Sequence, residues 1–152
     1  MALTFIEGAG LGTGKILQVV VEHDSNIQSS TSSTYAVKTN PSPSITTMQL
    51  NSKIYIIGHS MNNGGSDFLF LDFARTVAGG SATRVTGETY GQGYASSSMG
   101  RHMTISYLDS PAQAQGTVIT YQFMIANEDN STSVSLGDDT TNSTIAIFEV
   151  AI

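Results

Sequence analysis

The alternation of apolar and polar residues between Met103 and Asn127 constrains this chain more than any other feature. Met103, Ile105 and Tyr107 share one parity, with Thr104 and Ser106 on the other. Further on, Tyr121, Phe123 and Ile125 alternate with Thr120 and Gln122. Successive side chains of a strand point to opposite faces, so each run reads as a strand with one buried face. Between them lie Asp109, Ser110, Pro111 and Gly116, residues that end strands and open loops. The spacing predicts a hairpin. A hairpin cannot bury a face alone, so the rest of the chain must supply its cover.

The remaining segments read the same way. Leu3 to Ile6 is a short apolar segment ahead of the glycine-rich Gly8 to Gly14, and KILQVVVEH (Lys15 to His23) is a β-branched strand. Thr34 to Lys38 predicts a short strand, after which Pro41 and Pro43 enforce an extended connection. Ile45 to Leu50 alternates, and Asn51-Ser52 turns into Lys53 to Met61. The run from Asn62 to Gly65 then predicts a hairpin turn into Asp67 to Arg75, DFLFLDFAR, which is apolar on both parities. Gly79 to Gly100 reads as a long loop with one short strand near Arg84 to Thr86. Ser133 to Leu136 and Ser143 to Ile152 complete the set. About nine or ten strands with no convincing helix predict an all-β fold, an antiparallel jelly-roll-like sandwich. At 152 residues this is one domain, residues 15–152, behind a short extended N-terminal arm, residues 1–14.

Composition narrows function by exclusion. The chain has no Cys and no Trp, so neither disulfides nor thiolate metal sites hold it together. Charged residues make up 12% of it and the net charge is −6, with only six Lys and Arg, too few for the basic stripe that nucleic acid requires. No apolar run approaches the roughly 20 residues that span a bilayer, and MALTFIEGAG lacks the charged leader of a signal peptide, so the expectation is synthesis in a cytoplasm without membrane insertion.

Motifs for chemistry are few. GAGLGTGK (Gly8 to Lys15) resembles a phosphate-binding loop, but Ala9 stands where that loop needs glycine, Ile16 where it needs Ser or Thr, and a strand follows where it needs a helix. His23, His59 and His102 sit near strand ends without metal-ligand spacing. The acid pairs Glu128-Asp129 and Asp138-Asp139 lie in turns and do not follow calcium-loop spacing. Asn130-Ser-Thr and Asn142-Ser-Thr read as polar turns. Asp72 interrupts an apolar run and is expected to face solvent or pair with an arginine such as Arg75 or Arg84. No nucleophile elbow is present, with His59-Ser60 and Asp109-Ser110 the nearest candidates. The reading is a protein that is not an enzyme, with no catalytic residues, no metal and no cofactor.

The chain resembles a family of small trimeric β domains in structural proteins of tailed bacteriophages. The matching pieces, in the family's order, are GKILQVV (Gly14 to Val20), TSSTY (Thr31 to Tyr35), Ser44-Ile45 through to Ser52-Lys-Ile54, ISYLDSP (Ile105 to Pro111), TYQF (Thr120 to Phe123) and STIAI (Ser143 to Ile147). The resemblance implies a jelly roll similar to tumour-necrosis-factor-like trimers, used in tail fibres, head fibres or capsid decoration, and implies no catalytic residues. The domain starts almost at Met1, which points to a free-standing capsid decoration (cement) or head-fibre protein rather than a long fibre.

The expected partners are therefore the chain itself, as a homotrimer, and the major capsid protein or another virion protein, with the virion as its location. The closing strand, apolar on both faces, predicts either a neighbouring subunit as its second cover or insertion centrally between sheets. The candidate trimer interface is Tyr121, Phe123, Ile125, Ile145, Ile147, Phe148 and Val150, and the candidate capsid-docking arm is Leu3, Phe5 and Ile6. The alternative is a receptor-binding tail-fibre tip whose Tyr90, Tyr94 and His102 stack on and bond cell-surface glycan.

Overall fold

A computed structural model describes residues 2–4, 14–63, 68–89, 91–96, 101–130, 132–137 and 142–152. Thirteen strands are present among them, more than the sequence pattern predicts, because several are two- or three-residue pieces. They are β1 (Ala2–Thr4), β2 (Ile16–Asp24), β3 (Gln28–Ser30), β4 (Ala36–Val37), β5 (Ser44–Thr46), β6 (Lys53–Asn63) and β7 (Phe68–Val77). After them come β8 (Thr83–Arg84), β9 (Gly93–Ser96), β10 (Arg101–Asp109), β11 (Val118–Asn127), β12 (Val134–Leu136) and β13 (Ser143–Val150).

The strands form two antiparallel sheets. The first orders its long strands β2, β13, β6, β10, with β1 on the outer edge of β2 and β12 and β3 continuing beyond the end of β13. In the second, β11 and β7 pair along their whole length, β4 and β5 flank β11, and β8 and β9 flank β7. Taking β4 with β5 and β8 with β9 as single interrupted strands, this is the strand order of an eight-stranded jelly roll. The architecture expected from the alternation is the one observed.

Both predicted hairpins are corrected by that order. β10 pairs with β6 in the first sheet, whereas β11 pairs with β7 in the second. The stretch from Met103 to Asn127 is thus a corner between sheets, and so is the passage from β6 to β7, whose residues 64–67 lie outside the described set. Alternation identifies a strand with one buried face but does not say which sheet pairs with it. β9 replaces part of the expected long loop.

The core lies between the sheets. Ile54 and Ile56 of β6, Ile145 and Ile147 of β13 and Met103 and Ile105 of β10 meet Leu69, Leu71 and Phe73 of β7 and Ile119, Tyr121, Phe123 and Ile125 of β11. Phe73 and Phe123 stack with centroids 5.7 Å apart. The outer parity of β7 is covered only in part: Val85 N–H donates to Phe73 O and Gln92 N–H to Leu71 O along its edge, both at 2.9 Å, and Arg84 and Thr86 reach across to Asp72, while Phe68 and Phe70 stay half-buried.

Two polar clusters lock the sandwich. Tyr121 crosses from the second sheet to donate its hydroxyl to Asp109 Oδ2 at 2.7 Å, and Arg75 Nη1 holds both oxygens of the same carboxylate at 2.7 and 2.8 Å. Burial, reinforced by the Asp109 charge, raises the Tyr121 pKa well above the ordinary tyrosine value. At the other cluster, the fully buried Glu149 carboxylate accepts from Gln18 Nε2 (2.5 Å), Met48 N–H (2.8 Å), Gln49 N–H (3.2 Å) and Ser52 Oγ (2.6 Å). Among the described residues no arginine pairs with it, and the donors it accepts from are all neutral.

Candidate functional site

The outer face of the first sheet carries an apolar row. Register places Val19 of β2 opposite Phe148 of β13, Phe148 opposite Tyr55 of β6, and Tyr55 opposite Leu108 of β10. The backbone of β1 pairs with β2 with Leu3 in register with Val19. Tyr55 and Leu108 are 36% and 47% exposed, and the Tyr55 and Phe148 rings lie 6.2 Å apart. The next row, Val21, Ala146 and Ile57, is half-buried. An apolar band across four strands is more than scattered surface residues would give.

Above that band all three histidines share the face. His23 Nδ1 shares a hydrogen bond with Thr144 Oγ1 (2.9 Å), and His59 Nδ1 with Thr104 Oγ1 (3.0 Å). His102 Nδ1 meets His59 Nε2 at 3.2 Å with the two rings inclined by 10°. No group of three or more His, Asp or Glu that could hold a metal occurs among the described residues.

The second sheet's outer face differs at its two ends. Near the middle of β7, Asp72 is fully buried and bonded to Arg84 Nε and to Thr86 Oγ1 (2.6 Å), with the Phe73 amide donating to it at 2.7 Å. The Arg84 guanidinium lies 3.8 Å above the Tyr35 ring. Of the two arginines expected as partners, Asp72 takes Arg84, and Arg75 goes to Asp109. Toward the start of β7, Phe68, Phe70, Tyr94 and Glu128 are the described residues that line an open cleft of about 290 Å³. Tyr94 is 67% exposed, and its ring lies 6.1 Å from that of Phe68 at an inclination of 51°. The Glu128 amide donates to Phe68 O at 3.2 Å, tying the acidic turn to the cleft.

The predicted interface is corrected by burial. Tyr121, Phe123, Ile125, Ile145 and Ile147 are closed inside the domain's own core, because their parity is the inward one, and they present no surface to a neighbour. Phe148 and Val150, on the opposite parity of β13, stay half-buried on the outer face. β13 is thus inserted centrally, between β2 and β6, and also keeps an apolar outer side. Of the arm, residues 2–4 form the edge strand β1, while Phe5 and Ile6 lie outside the described residues.

The glycan trio is not assembled. Tyr94 faces outward from the second sheet and His102 outward from the first, on opposite sides of the sandwich, and Tyr90 lies outside the described residues. Asp138 and Asp139 also lie outside them. The residues after Gly14 form a strand, not the helix a phosphate loop opens. Sequence reasoning missed the Phe68 and Phe70 side of the cleft because both sit in the run that looks most like core.

No family model and no characterised protein matches this sequence. Among solved structures the chain is similar to the infectious bursal disease virus VP2 subviral particle, at 14% identity over 96% of this chain and 42% of that one, with a TM-score of 0.45. It is also similar to a structure of the infectious bursal disease virus Gx strain, at 14% identity over 96% and 45%, with a TM-score of 0.42. The chain spans less than half the length of either. The class of protein defined here, an all-β jelly roll, rests on the strand order itself.

Proposed function

We propose that the chain is a virion structural protein, a jelly-roll subunit that assembles as a homotrimer and decorates the capsid, or forms a head fibre, of a tailed phage. The observation that carries this reading is the band of Val19, Phe148, Tyr55 and Leu108 backed by Val21, Ala146 and Ile57, an apolar outer face on a domain whose core is already complete. A head-to-tail contact repeated around a threefold axis closes a ring and covers such a face in every copy. The ordered strand motifs shared with trimeric phage domains support the same reading, as does the jelly-roll order. In the assembly, Phe148 and Val150 supply contact surface, and the segment containing Leu3, Phe5 and Ile6 reaches to the major capsid protein.

Sedimentation equilibrium tests it. The expected result is a trimer at micromolar concentration that Tyr55→Ser with Leu108→Ser dissociates, while the circular dichroism spectrum is unchanged. A wild-type monomer at that concentration overturns the reading. Deleting residues 1 to 10 is expected to abolish particle binding and leave the trimer intact, and unchanged capsid occupancy refutes the arm's role.

A further inference from the structure

We infer that His59 and His102 form a two-imidazole clip for one zinc-class divalent ion on the outer face of the first sheet. The whole chain has three histidines and no cysteine, and two of those three histidines meet here. Register sets His59 opposite Thr104 and His102 opposite Met61, so the pair are diagonal neighbours across the β6–β10 ladder and project to the same side. His59 Nε2 and His102 Nδ1 come within 3.2 Å of each other. Two nitrogens bound to one tetrahedral zinc at about 2.0–2.1 Å stand roughly 3.3–3.4 Å apart, so the pair already spans close to the bite that such an ion needs.

The hydrogen bonding around the pair suits that role. His59 Nδ1 lies 3.0 Å from Thr104 Oγ1. With Nδ1–H donating to that hydroxyl, the lone pair is left on Nε2, the atom that faces His102. A partner on the far nitrogen is what orients a metal-bound imidazole. Without metal, the 3.2 Å contact needs one proton between the facing nitrogens, carried on His102 Nδ1. Zinc takes the place of that proton, which moves to Nε2 of the exposed His102 ring. Both facing nitrogens then offer lone pairs, and no net proton is lost.

The donor set selects the ion. Neutral imidazole suits zinc, copper and nickel, whereas calcium and magnesium take oxygen ligands. His23 is an internal contrast: it shares a row with His59 and bonds Thr144 Oγ1 at 2.9 Å, but β13 lies between the two, outside the reach of the clip. Among the described strands β10 pairs only with β6. An ion holding one ligand from each strand ties β10 to the sheet through side chains as well as backbone, and stabilises the folded pairing that creates its site.

Titration of the full chain with zinc chloride, read by calorimetry and by shifts of backbone amide signals, tests the inference. The expected result is one saturable site per chain, shifts centred on residues 58–60 and 101–104, and a urea midpoint that rises with zinc. His59→Gln and His102→Gln should each weaken binding roughly tenfold or more and remove that rise, with unchanged circular dichroism, while His23→Gln leaves both intact. Thr104→Val keeps both ligands and should still weaken binding roughly tenfold, the effect of losing the group that orients His59. No saturation at millimolar zinc overturns the inference. So does zinc binding that survives both His59→Gln and His102→Gln, which would place the ion elsewhere, or the same shifts with calcium chloride, which would mark an oxygen site. Stoichiometry is counted per chain, so none of these outcomes depends on whether the chain forms a trimer.

Discussion

Gly58 of β6 faces Phe123 of β11 across the sandwich so closely that a Cβ added to it would lie 2.5 Å from Phe123 Cε1 and 2.8 Å from Phe73 Cε1. The stacked pair of rings occupies the space that a side chain at position 58 would need. Gly58→Ala is therefore expected to cost about 1–3 kcal/mol by overpacking. Combining it with Phe123→Leu should recover part of that loss, a coupling readable in a double-mutant cycle of urea denaturation. Strictly additive single effects would show that the two positions do not compete for volume.

Glu149 is expected to be the most costly acid in the chain to remove. Truncating it to Ala leaves the amides of Met48 and Gln49 and the hydroxyl of Ser52 without their carboxylate acceptor, at a cost of about 3 kcal/mol or more. The loss should appear as a lower urea midpoint with unchanged slope. Glu149→Gln, which keeps one acceptor oxygen, should cost less. A midpoint within error of wild type for Glu149→Ala would contradict the role assigned to this cluster.

Arg84 and Asp72 make an unequal pair, because the carboxylate is fully buried while the arginine side chain is 23% exposed. Arg84→Met should destabilise by about 3–5 kcal/mol, since it strands a buried charge. Adding Asp72→Asn should restore much of the loss by removing that charge. If the double variant is no more stable than Arg84→Met alone, the cost lies instead in the lost contact with Tyr35.

Tyr121 sets an alkaline limit. Its hydroxyl keeps its proton in the folded protein above the ordinary tyrosine pKa of about 10, where the unfolded chain would lose it. Stability from this group is complete below that pH and falls as pH rises above it. Lys38, held below its ordinary pKa by burial, acts in the opposite sense, so the comparison must be made against Tyr121→Phe in an otherwise identical chain. The variant should lose about 1–2 kcal/mol at neutral pH and show a shallower decline above about pH 10. A slope identical to wild type would refute the assignment.

Strand identity was legible residue by residue, because period-two alternation is local. Pairing was not. Nothing in Met103 to Asn127 distinguishes a hairpin from a corner, since both leave Ile105 and Phe123 facing the same core. The same blindness hid the contact between His59 and His102, which lie far apart in sequence and side by side across the β6–β10 ladder. It also assigned Tyr121 and Ile145 to an interface, because an apolar parity announces burial without saying what does the burying. The aromatic cleft was half visible: Tyr94 stood out in a polar loop, whereas Phe68 and Phe70 were masked by the apolar residues between and after them.

Because β13 lies between β2 and β6, those two strands do not pair with each other, and what joins them is a strand that follows both by more than 75 residues. Removing that one segment would not fray a border but would split the first sheet down its middle. Until β13 is seated, the β2 side and the β6 side are a half-built scaffold, and they become a single body only when that stave is driven home.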